Sequence, residues 1–181
     1  MKKYLPKLIL VVAVLLTISV VFTSCQKENP VELFYEGRRV YTAHDFEGAI
    51  FLLNKAIKIY PEYAEAYFLR GMSYLRIKNY EKAIVDFTSC IKYNPNHAEA
   101  FYWRGKVYYY LEDYSNAISS YNVAIKLDPD NTYYYYSRGT AYNLRDENDD
   151  LNKAIDDFRK GCELGDKGAC KALKGLLDLR R

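Results

Sequence analysis

The chain has 181 residues, enough for one domain behind a short leader. It carries 26 basic and 23 acidic side chains, but Lys2, Lys3 and Lys7 lie in the first seven positions, so the remainder holds 23 of each sign. That balance offers no basic surplus for a nucleic-acid face, and nucleic acid is not expected as a partner.

The chain opens on the three lysines with no acid, followed by fifteen uncharged, mostly apolar residues, Leu8 to Phe22. This is the length of a secretory hydrophobic region and falls short of the roughly 20 residues of a membrane-spanning helix. The run ends in Phe22-Thr23-Ser24-Cys25, which resembles the lipobox of bacterial lipoproteins, with Phe22 at a place that is usually aliphatic. The resemblance implies a signal helix over 1–24, cleavage before Cys25, acylation of that cysteine and a tether over 25–29. Several acyl chains on one residue would anchor the protein stably to a membrane. The competing reading is an uncleaved N-terminal membrane helix with an incidental cysteine. Gln26 stands where an aspartate would resemble an inner-membrane retention signal, which points to the outer membrane. Lys27-Glu28 resembles the charged tether of surface-exported lipoproteins.

Beyond the tether the sequence repeats. Gly37, Gly71, Gly105 and Gly139 are spaced by 34 residues, as are Ala49, Ala83 and Ala117, and Pro61, Pro95 and Pro129. Ala64-Glu-Ala-Tyr-Phe-Leu-Arg-Gly71, Ala98-Glu-Ala-Phe-Tyr-Trp-Arg-Gly105 and Thr132-Tyr-Tyr-Tyr-Tyr-Ser-Arg-Gly139 read alike; the block ending in Gly37 lacks the arginine. Each unit divides into two helical patterns. In the second, as in Tyr80 to Tyr93, apolar residues recur at i, i+3, i+4 and i+7, the spacing of one helix face. Asp45, Asn79, Asp113 and Asp150 precede the opening apolar residues of the second helices and are suited to N-capping. The prolines end each unit, because proline lacks an amide donor and clashes with the preceding turn.

Period and residue types together resemble the tetratricopeptide repeat. That family has a small residue where its two helices cross, matched by the four glycines. It has alanine early in the second helix, matched by Ala49, Ala83, Ala117 and Ala154, and a large residue four places on, matched by Leu53, Phe87, Tyr121 and Phe158. The resemblance implies an all-α helix-turn-helix solenoid with four repeats over 30–166 and a C-terminal capping helix over 167–181. Residues after Leu164 have the amphipathic pattern that such a cap needs.

The fourth unit is longer by three residues, and the excess falls in Arg145 to Asp150, where a solvated turn accommodates it. The acidic run lacks the alternating ligands and central glycine of a calcium loop. Cys90 occupies a small-residue core position equivalent to Ala56 and Ala124 and is expected as a buried thiol. Cys162 and Cys170, seven residues intervening, resemble disulfide-bonded cysteine-rich helical-pair repeats. The resemblance implies a bond, which an oxidising envelope permits; two reduced core cysteines remain the alternative.

No catalytic motif accompanies the repeats. His44 and His97 are the only histidines, and neither has a Cys or carboxylate partner at ligand spacing. GxSxG, HExxH, paired CxxC and phosphate-cradling glycine loops are absent from the sequence. No enzyme activity and no cofactor are expected.

In tetratricopeptide proteins the first helix of each pair lines a concave groove that takes an extended peptide or a helix. By register the groove here should carry Phe34, Arg38 and Tyr41, then Phe68, Met72 and Leu75, then Tyr102, Lys106 and Tyr109, and finally Tyr133, Tyr136, Thr140 and Asn143. Tyrosines there suit a wet binding surface. The chaperone-tail binders of the family hold a C-terminal carboxylate in a Lys/Asn/Arg clamp. The matching positions are Phe34, Arg38, Leu69, Glu99 and Trp103, of which only Arg38 could hold an anion. The expectation is an envelope scaffold that binds a protein or peptide; a glycan-binding or nutrient-capture lipoprotein is the alternative.

Overall fold

The computed structural model describes residues 28–145, 147 and 149–178; the leader and Cys25 lie outside these. The described residues form four helix pairs and a last helix: α1 (Pro30–Thr42) with α2 (Phe46–Ile59), α3 (Ala64–Arg76) with α4 (Tyr80–Tyr93), α5 (Ala98–Tyr110) with α6 (Tyr114–Leu127), α7 (Thr132–Arg145) with α8 (Asp150–Glu163), and α9 (Lys167–Asp178). Each helix packs on its chain neighbours, and the first helices of successive pairs also touch one another. The result is an all-α solenoid whose inner side is lined by α1, α3, α5 and α7.

The crossing within each pair is a small residue under a large one. A Cβ on Gly71 would lie 3.0 Å from Phe87 Cε1, on Gly105 2.7 Å from Tyr121 Cε1, on Gly139 3.0 Å from Phe158 Cε1, and on Gly37 3.1 Å from Leu53 Cγ. Ala49, Ala83, Ala117 and Ala154 are fully buried beside these contacts. Close backbone approach lets the large side chains fill the remaining space at near-crystal density.

The turns are local chemistry. Asp45 and Asp113 accept the N–H groups of Gly48 and Asn116 at 2.8 and 3.1 Å, and Asn79 accepts that of Lys82 at 3.3 Å. Just before each cap, His44, Lys78 and Glu112 take positive φ of 65°, 60° and 61°. The next residue's N–H then returns to the carbonyls of Val40, Tyr74 and Tyr108, closing the helix in a Schellman turn. Helices α2, α4 and α6 end two residues before Pro61, Pro95 and Pro129, as the exclusion of helical conformation before proline requires.

The fourth pair departs from the expected cap. Asp150 does not cap α8 but lies in its first turn, 1% exposed, gripped by Arg145 through Nε–Oδ2 (2.7 Å) and Nη2–Oδ1 (2.8 Å). Asp149 holds the N-cap position without a capping bond. The longer connection is closed by an ion pair where the other units use a cap, and the Arg145 partner holds the Asp150 carboxyl down to about 2.

Helix α9 lays Ala169, Ala172, Leu173 and Leu176 on Ala154, Phe158 and Cys162, covering the apolar face of the last pair. A Cβ on Gly161 would lie 2.9 Å from that of Ala169, so this crossing is as close as those within the pairs. The α8–α9 turn runs through Gly165 at φ 97°, and Cys162 is disulfide-bonded to Cys170 across it, with Cα atoms 4.7 Å apart.

Candidate functional site

The inner side divides into two halves of different character. In the first two repeats the expected groove residues are largely consumed by packing. Leu75 is buried in a cluster with Ala83, Phe87 and Val107, and so is not a groove surface as the register suggested. Phe34 is half-buried against Tyr63, with ring centroids 5.1 Å apart, and Phe68 is held between Phe87 (5.8 Å) and His97 (4.6 Å). Tyr41 packs on the Ala49/Leu53 cluster and Met72 on Phe87. Arg38 is exposed, its guanidinium 4.8 Å from the Tyr35 ring centroid. The aliphatic and phenyl side chains here find neighbours of their own kind and close over.

The third and fourth repeats are open. Tyr102, Lys106 and Tyr109 of α5 face Tyr133, Tyr136 and Thr140 of α7 across a concavity of about 430 Å³. Tyr121 forms its floor, and Ser137, Asp166 and Gly168 complete the wall. The sequence register named the first six; it missed Ser137, and it missed Asp166 and Gly168 because they come from the α8–α9 turn and the first turn of α9, which fold back to the inner side. Asn143 is exposed and stands apart from this concavity. Tyr102 also borders a second hollow of about 320 Å³ with Glu99, Trp103, Asn131, Tyr133 and Tyr134.

Tyrosine keeps the site open because each ring packs at one end and needs a hydrogen-bond partner at the other. Tyr102 lies between Tyr121 (5.8 Å) and Tyr134 (5.0 Å), and Tyr136 lies on Phe158 (5.7 Å). Tyr133 is 67% exposed, the most available ring of the set. Burial pushes the Tyr121 and Tyr109 hydroxyls above the ordinary phenol range and that of Tyr134 up to about 12, so these groups stay protonated donors at physiological pH. Lys106 supplies one positive charge to the wall and Asp166 one negative. Asp166 also accepts the Ala169 N–H at 2.7 Å as the cap of α9, which fixes its carboxylate at the rim. Apolar ring faces, phenolic donors and one charge of each sign suit a polypeptide, which presents backbone acceptors beside mixed side chains.

Two family comparisons match the repeats directly: the tetratricopeptide repeat model at residues 64–97 and a TPR repeat model at residues 105–144. No curated protein matches the chain. Among solved structures, it is similar to MamA 41-end from Desulfovibrio magneticus RS-1, with a TM-score of 0.77 at 20% identity over 86% of this chain and 88% of that one. A MamA RS-1 double mutant gives 0.76 at 21% over 84% and 86%. A further crystal structure of MamA gives 0.71 at 28% over 78% and 75%. At these identities the likeness establishes the solenoid architecture. With four helix pairs on a 34-residue period, the crossing glycines seated under large partners and the repeat models matched at 64–97 and 105–144, the chain carries tetratricopeptide repeats in a solenoid of that type.

Proposed function

We propose that the chain is a membrane-anchored interaction scaffold of a bacterial envelope, and that it holds a polypeptide segment in the Tyr-walled concavity of repeats three and four. The observation that carries this reading is the convergence of Tyr102, Tyr109, Tyr133 and Tyr136 with Lys106 and Asp166 on one open wall. Repeat proteins of this family serve protein interaction, and the role is binding rather than catalysis. The anchor rests on the sequence: three leading lysines, a short apolar run and Phe22-Thr23-Ser24-Cys25. Among the described residues no helix is long and apolar enough to cross a membrane. The reading places attachment at an acylated Cys25, in the outer membrane that Gln26 favours.

Site-specific photocrosslinking in cells tests the groove. A photoreactive residue at Tyr102 or Tyr136 in the full chain should capture one envelope polypeptide, while a probe at exposed Lys126 on α6 should not. Equal capture from both faces, or none, overturns the groove reading. Glycan-array binding lost in Tyr102→Ala and Tyr136→Ala would instead favour the nutrient-capture role, since tyrosine faces also stack on sugars. The anchor has its own test: labelled palmitate should enter the chain and be lost in Cys25→Ser.

A further inference from the structure

One arginine recurs immediately before the crossing glycine, at 70, 104 and 138. Arg70 is held by Asp86 in a two-point ion pair (Nε–Oδ2 2.8 Å, Nη2–Oδ1 2.6 Å), and its Nη1 donates to Asn54 Oδ1 at 2.6 Å. Arg138 repeats the arrangement with Asp157 (2.8 and 2.6 Å) and Asn122 (2.6 Å). Acid, arginine and amide thus form a fixed outer-face device in the second and fourth repeats.

The third repeat keeps the arginine and loses both the carboxylate and the amide. Ser120 stands at the aspartate position and Thr88 at the asparagine position. Arg104 is half-buried over the Phe101 ring, 5.4 Å from its centroid. Its only hydrogen bond among the described residues is from Nε to Ser120 Oγ, at 3.3 Å. A guanidinium cannot shed its charge, so both terminal nitrogens remain donors with no acceptor among the described residues, and neither is sealed from solvent. Burial lowers the proton affinity of Arg104, whereas the carboxylates beside Arg70 and Arg138 raise theirs.

The surroundings changed with it. The hollow beside Arg70 is lined by Tyr74, Glu81, Lys82, Val85 and Asp86. Thirty-four residues on, the corresponding positions are Tyr108, Ser115, Asn116, Ser119 and Ser120, hydroxyls and an amide with no carboxylate. The nearby Asp113 is engaged in capping α6 through Asn116. Ser115 accepts from Arg145 Nη1 at 3.3 Å, and the charge of Arg145 is paired with Asp150. A half-buried cation whose matching positions carry neutral hydrogen-bonding groups is the complement of an anion.

We infer that Arg104 is a carboxylate-binding site, which receives an Asp or Glu side chain of a partner protein on its two terminal nitrogens, the donors that Asp86 with Asn54 and Asp157 with Asn122 engage in the neighbouring repeats. The site is distinct from the groove. Position 104 lies two residues from both Tyr102 and Lys106, about 200° round α5, so it faces the opposite side of the solenoid. The inference goes beyond the groove reading and does not depend on it.

The test is an NMR titration of full-length chain in detergent, labelled at arginine Nε, with the Arg104 signal assigned through Arg104→Lys. Tetraglutamate is the probe and tetraglutamine the neutral control at matched ionic strength. The Arg104 Nε–Hε signal should move saturably with tetraglutamate, the Arg70 and Arg138 signals should stay, and tetraglutamine should move none. Ser120→Asp should bring the Arg104 signal to the region of the other two and weaken the peptide response at least tenfold. An unmoved Arg104 signal overturns the site, as does an equal response from Arg70 and Arg138. The comparison among the three arginines stands within the unmodified protein, so the test decides even if Ser120→Asp fails to fold.

Discussion

Replacing Gly105 by alanine puts a methyl group where the structure has no room for one. The added Cβ would lie 2.7 Å from Tyr121 Cε1, 2.8 Å from Cδ1 and 3.1 Å from the carbonyl oxygen of Ala117. Neither neighbour gives easily: the carbonyl belongs to α6, and the Tyr121 ring is 1% exposed against Tyr102. Overpacking costs about 1–3 kcal/mol, and with neither neighbour able to move the cost falls in the upper part of that range, about 2–3 kcal/mol. Alanine returns up to about 1 kcal/mol of helix propensity, which leaves a net loss of about 1–2 kcal/mol. Gly37→Ala is the internal comparison, because its methyl meets Leu53 Cγ at 3.1 Å and Cδ2 at 3.3 Å, and a leucine can change rotamer. There the two effects should nearly cancel. Urea unfolding followed by circular dichroism, on full-length chain in mild detergent, measures both. The Tyr121→Leu change, which copies the first pair, should recover part of the loss in the Gly105→Ala background as a coupling between touching sites. A Gly105→Ala protein as stable as the parent, or a Gly37→Ala protein that is the weaker of the two, would refute the reasoning.

Glu112 pays the left-handed penalty of a side chain at φ 61°, so Glu112→Gly should raise stability by about 0.5–1 kcal/mol, measured by thermal unfolding. Gly165→Ala should do the reverse at φ 97° although nothing lies within 4 Å of its Cβ. The Asp150 carboxyl is held at about 2, below its ordinary 3.8, so its stabilisation is present above pH ~4 and is lost as pH falls from there toward about 2. The difference in acid unfolding between the parent and Asp150→Asn should therefore be roughly 2 kcal/mol near neutrality and shrink through that window. Cys162 and Cys170 close a short loop with a sequence separation of 8; the mass should rise by about 2 Da on reduction, and the double serine variant should lose about 2–3 kcal/mol. Burial pushes the Cys90 thiol up to about 12, so an alkylating reagent should label it only once the chain is unfolded in urea, and labelling of the folded protein would contradict its packing.

Much of the fold is legible because the repeat encodes contacts that are close in sequence. The residue sixteen places after each of Gly37, Gly71 and Gly105 is the large side chain that covers it, and both ends of the contact recur every 34 residues. Caps at Asp45, Asn79 and Asp113 and stops before the prolines are decided within one turn of helix, where residue type alone carries the physics. The same local reasoning fails at Asp150. Two adjacent acids, Asp149 and Asp150, stand at the start of α8, and only the approach of Arg145 selects which is buried and why.

The groove shows the wider limit. Register places a side chain on the inner face but does not say whether a neighbour covers it. Phe34, Phe68 and Leu75 share the inner register with Tyr102 and Tyr133, yet the first three are packed away and Tyr133 is exposed. Asp166 and Gly168 join the wall because α9 folds back against the last pair, a contact no periodicity contains. The 34-residue sequence period by itself determined the solenoid, its crossings and most of its caps. Tertiary packing decided which inner tyrosines stay open and paired Arg70 and Arg138 with Asp86 and Asp157, because burial and charge pairing depend on which side chains the neighbouring helices present.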